Sequence, residues 1–418
     1  MSVRSSPRLR RSPRLPFALL ALAAAATGCG DGDVVFDSDD PWVSPTDWPG
    51  IGAGKIMVTN SGDDTLSFLD PDTLEPVYRS ATGRVPAERE GPHHGAASPD
   101  GHFYYVGLSN VVPGGGSGPH GSHGTGTVDG YLLRYECETN TPSGEVRVDR
   151  SPGDVRTTPD GRFVLQSHFD VQSIIEASAN GEDPRDLRST LAVIDAEAME
   201  TAAKIPLCPA GHGMAVAPDG SAAYVTCWGS DELAIVPIGD APSSEAEVVR
   251  LPVVEGAGGN PAAPTFGPYA ANISPDGTEV WVSNLEGKSL ALYDVEAGAF
   301  DPARFIDNLP GSPLFGTFSA EGDLLYVPLQ NQDALVTIDP ATGEVVATLD
   351  YSTDECERPH GTLLLNGGER LAVVCEGDRV NPGTVVRMDL TAEGGPAIEE
   401  VFQVGVYPDD LIFVPEAR

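Results

Sequence analysis

Three histidines recur at one place in a repeated ten-residue frame. His93, His212 and His360 each stand second in a segment that opens with Pro or Gly, runs through small or apolar residues and closes on a Pro-Asp-Gly or related turn. His94 follows the first of them. Imidazole is a common metal ligand and a general acid or base near neutral pH, so histidines repeated about an axis could converge on one ion or serve a hydrolytic reaction. Gly153, Tyr269, Leu314 and Asp409 hold the same position in the other copies, with Asp154, Arg156 and Asp410 close by. Asp154 and Arg156 are also spaced to form a plain ion pair. The cysteines repeat in step with the histidines. Cys208 and Cys227 flank His212, and Cys356 and Cys375 flank His360, four residues before and fifteen after in both cases. The sequence carries no nucleophile elbow, phosphate loop, dinucleotide fingerprint, CxxCH haem attachment or EF-hand loop.

Positioning those side chains falls to the repeat. Full frames run 92–101, 152–161, 211–220, 268–277, 313–322 and 359–368, and a seventh, begun at Pro408, is cut short by the end of the chain. The second positions are spaced by 60, 59, 57, 45, 46 and 49 residues. A period of that length means a propeller or a solenoid. Each frame supplies one strand, and three more β-branched or apolar runs follow it, bounded by turn residues. The second strands are expected at 103–106, 163–166, 223–226, 280–283, 324–327 and 371–374, and the third at 131–135, 191–195, 233–236, 290–294, 335–339 and 385–389. Four antiparallel strands make one propeller blade. The N-terminal part offers three strands, 56–60, 65–70 and one around 76–78, without a first. The C-terminus offers a first strand, 411–414, without followers. The expectation is an all-β, seven-bladed propeller whose C-terminal strand joins the N-terminal blade and closes the ring, leaving no exposed sheet edge.

Antiparallel order assigns each connection to an end of the ring. First strands begin, and second-to-third loops lie, at one end, termed the top. The Pro-Asp-Gly turns lie at the other. His93, His94, His212 and His360 therefore belong to the top mouth of the channel. His120, His123 and His168 fall on the same face, and His102 on the opposite one. The long spacings come from insertions at 111–129, 171–189 and 255–266, all placed on top, where long loops on a rigid scaffold commonly carry function. His93, His212 and His360 fall on the second, fourth and seventh blades, counting the N-terminal one as first, so they are expected to be spread around the rim. His93-His94 with the loop of His120 and His123 is then the compact candidate. Each cysteine pair sets the start of a first strand beside the end of a second. An intrablade disulfide is the simpler reading, and Cys/His metal ligation at the four-residue spacing is the alternative. Cys137 is left over as a buried thiol.

Val58-Thr59-Asn60, Tyr224-Val225-Thr226 and Trp281-Val282-Ser283-Asn284 resemble the YVTN family of seven-bladed propellers, which includes YncE-like and surface-layer proteins. The resemblance covers about 360 residues and implies the fold. That fold also carries lactonases and the propeller domains of copper and haem enzymes, so it does not by itself imply a reaction. A lactonase would need a base, His93 or His94, and a polarising group, Arg156. A copper- or haem-type protein would use the top histidines as ligands.

Residues 1–28 read as a signal peptide: five arginines precede a ten-residue apolar run, 17–26, too short to span a bilayer. Ala26-Thr27-Gly28-Cys29 resembles a bacterial lipobox, which implies lipidation of Cys29. Gly30 follows rather than Asp, which points to the outer membrane. Residues 29–54 are acidic and rich in Pro and Gly, a flexible tether, and 55–418 form the propeller. The net charge of −37 becomes more negative when the leader is lost, so the surface repels nucleic acid. The functional expectation is a membrane-tethered, exported binding or scaffold module. It would take a protein or small molecule on its His-rich top face: His93, His94, Asp154, Arg156, His212, Tyr269, His360 and Asp409. A metal ion is the cofactor that His93, His94, His120, His123, His212 and His360 could hold. A lactonase-like hydrolase and a metal protein are the alternatives.

Overall fold

The computed structural model describes residues 51–84, 89–109 and 125–418. These form seven four-stranded antiparallel sheets arranged as the blades of one ring. The inner strands are Pro92–Ala97, Pro152–Thr157, Gly211–Val216, Pro268–Ile273, Thr317–Phe318, Pro359–Leu364 and Pro408–Val414. The last of these, the C-terminal strand, pairs with Lys55–Asn60, from Lys55 opposite Val414 to Asn60 opposite Pro408. The ring is therefore closed between the chain's two ends, and the expected second and third strands are all present, with bounds shifted by up to three residues.

The Pro-Asp-Gly turns explain why each frame stops where it does. Gly101, Gly161, Gly220, Gly277 and Gly322 all have φ between 71° and 78°. An L side chain there would be strained, so glycine closes each hairpin. Alternation along the strands puts apolar residues on both faces of each sheet, because each blade is sandwiched between two others. The core is accordingly seven slabs, one between each pair of neighbouring blades. Leu165, Val193, Met214 and Val225 fill the slab between the third and fourth, and Ile56, Val58, Val374 and Leu411 the one across the closure.

Hydroxyls on the second strands tie neighbouring blades together near the axis. Thr59 donates to the carbonyl of His93 (2.7 Å), Ser167 to that of His212 (2.6 Å), Thr226 to that of Tyr269 (3.0 Å) and Ser283 to that of Leu314 (2.8 Å). Each acceptor is the second residue of the next blade's frame. The Thr or Ser of the Val-Thr-Asn type signature is thus an interblade hydrogen-bond donor, and it fixes the backbone that carries the histidines.

Two features depart from the expected pattern. The insertion at 171–189 contains a helix, α1 (Val171–Asn180), capped by the side chain of Asp170 and ended by Gly181 in the left-handed conformation. Its Ile174 packs at the top of the ring with Phe169, Tyr269 and Leu314. In the sixth blade the inner segment leaves its own sheet. Phe315 bridges in parallel to Gly361, its N–H donating to the carbonyl of His360 and its carbonyl accepting from Thr362. Only Thr317–Phe318 remain as an inner strand, and the Phe315 ring is turned toward the axis. Among the described residues no helix is long and apolar enough to cross a membrane.

Candidate metal centre

The three repeat-related histidines and His94 meet on the axis. His93 and His94 come from the second blade, His212 from the fourth and His360 from the seventh, all at the starts of inner strands. The His93 and His94 ring centroids are 4.2 Å apart. His212 lies 5.9 and 5.7 Å from these two, and His360 6.1 and 5.9 Å. The expected spread around the rim is wrong. Each inner strand begins so close to the axis that its second side chain reaches across it, and non-adjacent blades come into contact there. The location at a channel mouth needs correction too, since all four residues are at most 1 % exposed.

Oxygen acceptors orient the rings. His212 Nδ1 donates to the carbonyl of Tyr269 (3.1 Å), whose ring stacks on it at 3.8 Å. His360 Nδ1 donates to the carbonyl of Asp409. A carbonyl can only accept, so each neutral ring carries its lone pair on Nε2. His93 Nδ1 lies 2.6 Å from Asp409 Oδ2, and that carboxyl also accepts from the hydroxyls of Ser61 and Thr59. His94 Nδ1 is 3.3 Å from Asp410 Oδ2 and 3.7 Å from Asp154 Oδ1, and its Nε2 is buried with no hydrogen-bond partner. His93, His94 and His212 each offer a nitrogen within 4.8 Å of the other two. Nitrogens at ~2.0–2.1 Å from one tetrahedral ion are about 3.3–3.4 Å apart, so the set would close by up to roughly 1.5 Å to share one.

Burial dominates the electrostatics. It holds His93 and His360 down to about 3 and His94 and His212 well below the ordinary imidazole value, so the cluster is uncharged at neutral pH. Burial likewise pushes Asp409 and Asp410 up, and Asp154 up to about 7. Arg156, 3.0 Å from Asp154, opposes that rise, and the expected ion pair is present. His93–Asp409 is therefore a contact between groups both driven toward neutrality, not an ion pair. A cation among the imidazoles would reverse this and favour the carboxylate.

The axial region is open below the cluster. A cavity of ≈ 560 Å³ runs between the lower halves of the inner strands, and its lining includes Arg156, Asp410 and Phe315. The Phe315 ring is tilted against both, its centroid 4.9 Å from that of His94 and 5.5 Å from that of His360, and it lies between the cavity and the histidine rings. On the other side lies a buried polar chain that the repeat did not reveal. Glu376 is 3.9 Å from His360 Nε2, accepts from Gln330 (2.6 Å) and pairs with Arg379 (2.5 Å), and burial pushes it up to about 7. Neither Phe315 nor Glu376 stood out in the sequence. Phe315 occupies an ordinary apolar position of its frame, and Glu376 directly follows a strand among loop residues.

The remaining sequence candidates divide cleanly. His168 is buried but apart from the cluster, bonded to the carbonyl of Thr190 (2.8 Å) and the N–H of Asp149 (3.1 Å). His102 is exposed beside its Pro-Asp-Gly turn. Cys208–Cys227 and Cys356–Cys375 are disulfides within their blades, so the thiols are not ligands, and Cys137 is a buried free thiol. His120, His123 and Cys29 lie outside the described residues.

Fold and cluster together define a seven-bladed propeller with a histidine-lined axis. Solved structures share the fold. A functionally unknown protein from Desulfotomaculum acetoxidans superposes with a TM-score of 0.61 at 14 % identity, covering 87 % of this chain and 100 % of its own. The periplasmic gluconolactonase of Pseudomonas aeruginosa gives 0.59 at 18 %, over 86 % and 98 %. Kuenenia stuttgartiensis hydrazine synthase gives 0.56 at 15 %, over 81 % and 93 %. No family model and no curated protein matches the chain. Likeness at these identities extends to the architecture alone.

Proposed function

We propose that this protein is an exported metal-binding propeller in which His93, His94 and His212, with His360 beside them, hold one divalent transition ion on the axis. The observation that carries this reading is the convergence of three buried imidazole nitrogens within 4.8 Å. Their Nδ1 atoms are bonded to, or lie beside, oxygens from Tyr269, Asp409 and Asp410. Outer oxygens that orient ligating imidazoles are the usual second layer of such sites. An all-imidazole donor set suits Zn or Cu, and an ion there would supply Lewis acidity and the positive charge that the buried Asp409 and Asp410 lack. Elemental analysis of tag-free protein should find about one Zn or Cu per chain. The His94→Ala variant, with its thermal unfolding checked alongside, should lose most of it. Wild-type protein that stays metal-free after dialysis against both ions rejects the reading.

Lactone hydrolysis is a second reading, favoured by the axial cavity with Arg156 and Asp410 in its lining and by likeness to a gluconolactonase. It requires that purified protein open an aldonolactone and that Arg156→Ala abolish this.

We further infer that Cys29 is lipidated and tethers the propeller to the cell envelope, at the outer membrane. The ring would there present its top face to a protein or small-molecule partner. Mass spectrometry should find a mature N-terminus at a diacylglyceryl Cys29, and Cys29→Ala should release the protein in soluble form. An unmodified N-terminus elsewhere contradicts it.

A further inference from the structure

Two insertions that the propeller does not need meet at the top of the ring. One is 171–189, with α1 and the short turn Pro184–Asp186. The other is 255–266, which joins the fourth blade to the fifth. Between them lies a hollow of ≈ 250 Å³ whose lining includes Arg185, Arg188, Arg250, Gly229 and Gly258. The chain has 62 acidic residues and only 25 Lys and Arg, so three arginines on one small hollow run against its composition. Among the described residues, Glu232 is the one acid in the lining.

The arginines are not equivalent. Arg185 is neutralised by Asp183, Nε to Oδ1 at 2.9 Å and Nη2 to Oδ2 at 2.6 Å. Arg188 donates from Nη1 to the carbonyls of Arg185 (2.8 Å) and Leu187 (2.6 Å). Arg250 donates from Nη1 to the carbonyl of Leu207 (2.6 Å). Among the described residues, neither of these two forms an ion pair with a carboxylate. Most of the other described cationic side chains do, including Arg84, Arg147, Arg162, Arg304 and Arg370. Backbone carbonyls thus hold one arm of each guanidinium and leave its charge uncompensated. At Gly259, an added Cβ would meet nothing within 4 Å, so that part of the lining is open.

We propose that this hollow binds a small oxyanion, a carboxylate or a phosphate group, between Arg188 and Arg250. The guanidinium fork matches the planar or tetrahedral oxygens of such groups, and rigid carbonyl anchoring lowers the ordering cost. The volume equals about eight waters at ~30 Å³ each, which fits a compact acid and not a polymer. The site stands apart from the axial histidines and does not depend on a metal.

Calorimetric titration at low salt, with inorganic phosphate and with citrate, tests it. At least one probe should bind saturably at one site per chain and weaken as salt is raised. The Arg188→Ala/Arg250→Ala double variant should bind roughly 100-fold more weakly, about tenfold for each charge-assisted contact. The Arg188→Lys/Arg250→Lys variant, which keeps the charge and loses the fork, should fall between. Arg162→Ala, which removes a distant surface arginine, should bind as wild type does. Phosphate alone binding points to a phosphorylated ligand, and citrate alone to a carboxylic acid. No saturable binding of either probe to wild type, or undiminished binding by a double Ala variant of unchanged melting temperature, overturns the proposal.

Discussion

Deletion of residues 408–418 should leave the protein unable to accumulate as a soluble monomer. The segment removed is the inner strand of the N-terminal blade, paired along Lys55–Asn60. Without it that blade has three strands, the slab formed by Ile56, Val58, Val374 and Leu411 loses a side, and an inner sheet edge is exposed. Unpaired strand edges recruit other chains, so the expected product is aggregate. Fractionation and size-exclusion chromatography give the readout. A circular permutant that places residues 406–418 ahead of Gly52 should restore a soluble monomer, because Val414 pairs with Lys55 and Glu416 lies beside Gly54. Soluble, cooperatively melting protein from the deletion would show that closure by this strand is dispensable.

The second large effect is expected from Asp409→Ala. This side chain is 1 % exposed and serves three partners at once: His93 Nδ1, Ser61 Oγ and Thr59 Oγ1. Thr59 and Ser61 keep the carbonyls of His93 and Pro92 as acceptors, so removing it chiefly takes away the oxygen beside His93 Nδ1, at a cost of about 1–3 kcal/mol. Burial already holds the carboxyl well above its ordinary value, near its neutral form, so the isosteric Asp409→Asn should lose less than half as much. Urea unfolding measures both. An alanine variant as stable as wild type would mean that water replaces the carboxyl beside His93 Nδ1.

How much could be read from the residues follows from what kind of signal each carried. The blade count and the closure came from a gap-free frame, because turn chemistry at the Pro-Asp-Gly type hairpins is local and the repeat multiplies it six times. The cysteine pairing followed for the same reason: equal spacing in two blades sets Cys208 and Cys356 just before an inner strand and Cys227 and Cys375 at the end of the strand beside it. The histidine cluster was legible as a set of positions but not as a geometry. Whether His93, His212 and His360 touch depends on the radius of the ring, and that radius is set by how seven apolar slabs pack, which no local pattern encodes. The sixth blade breaks its own frame for a related reason. The Phe315 backbone exchanges hydrogen bonds with the seventh blade, a contact 46 residues away that a one-dimensional pattern does not contain. The arginine hollow was half visible. Both insertions were placed on the top face, but their meeting, and the fold of one of them into α1, arise only in three dimensions.

The Asp409 contact also puts a clock on the molecule. His93 and the carboxyl that holds it are 316 residues apart. At a synthesis rate of ≈ 5–20 residues per second, the ribosome needs roughly 16 to 63 seconds to travel from one to the other. Throughout that interval His93 lacks the carboxyl beside its Nδ1, and the ring that buries it is not yet closed. A chain interrupted anywhere between residues 361 and 408 therefore carries every histidine and still lacks the finished axis. Occupancy of that axis, once measured, would count completed molecules rather than synthesised ones.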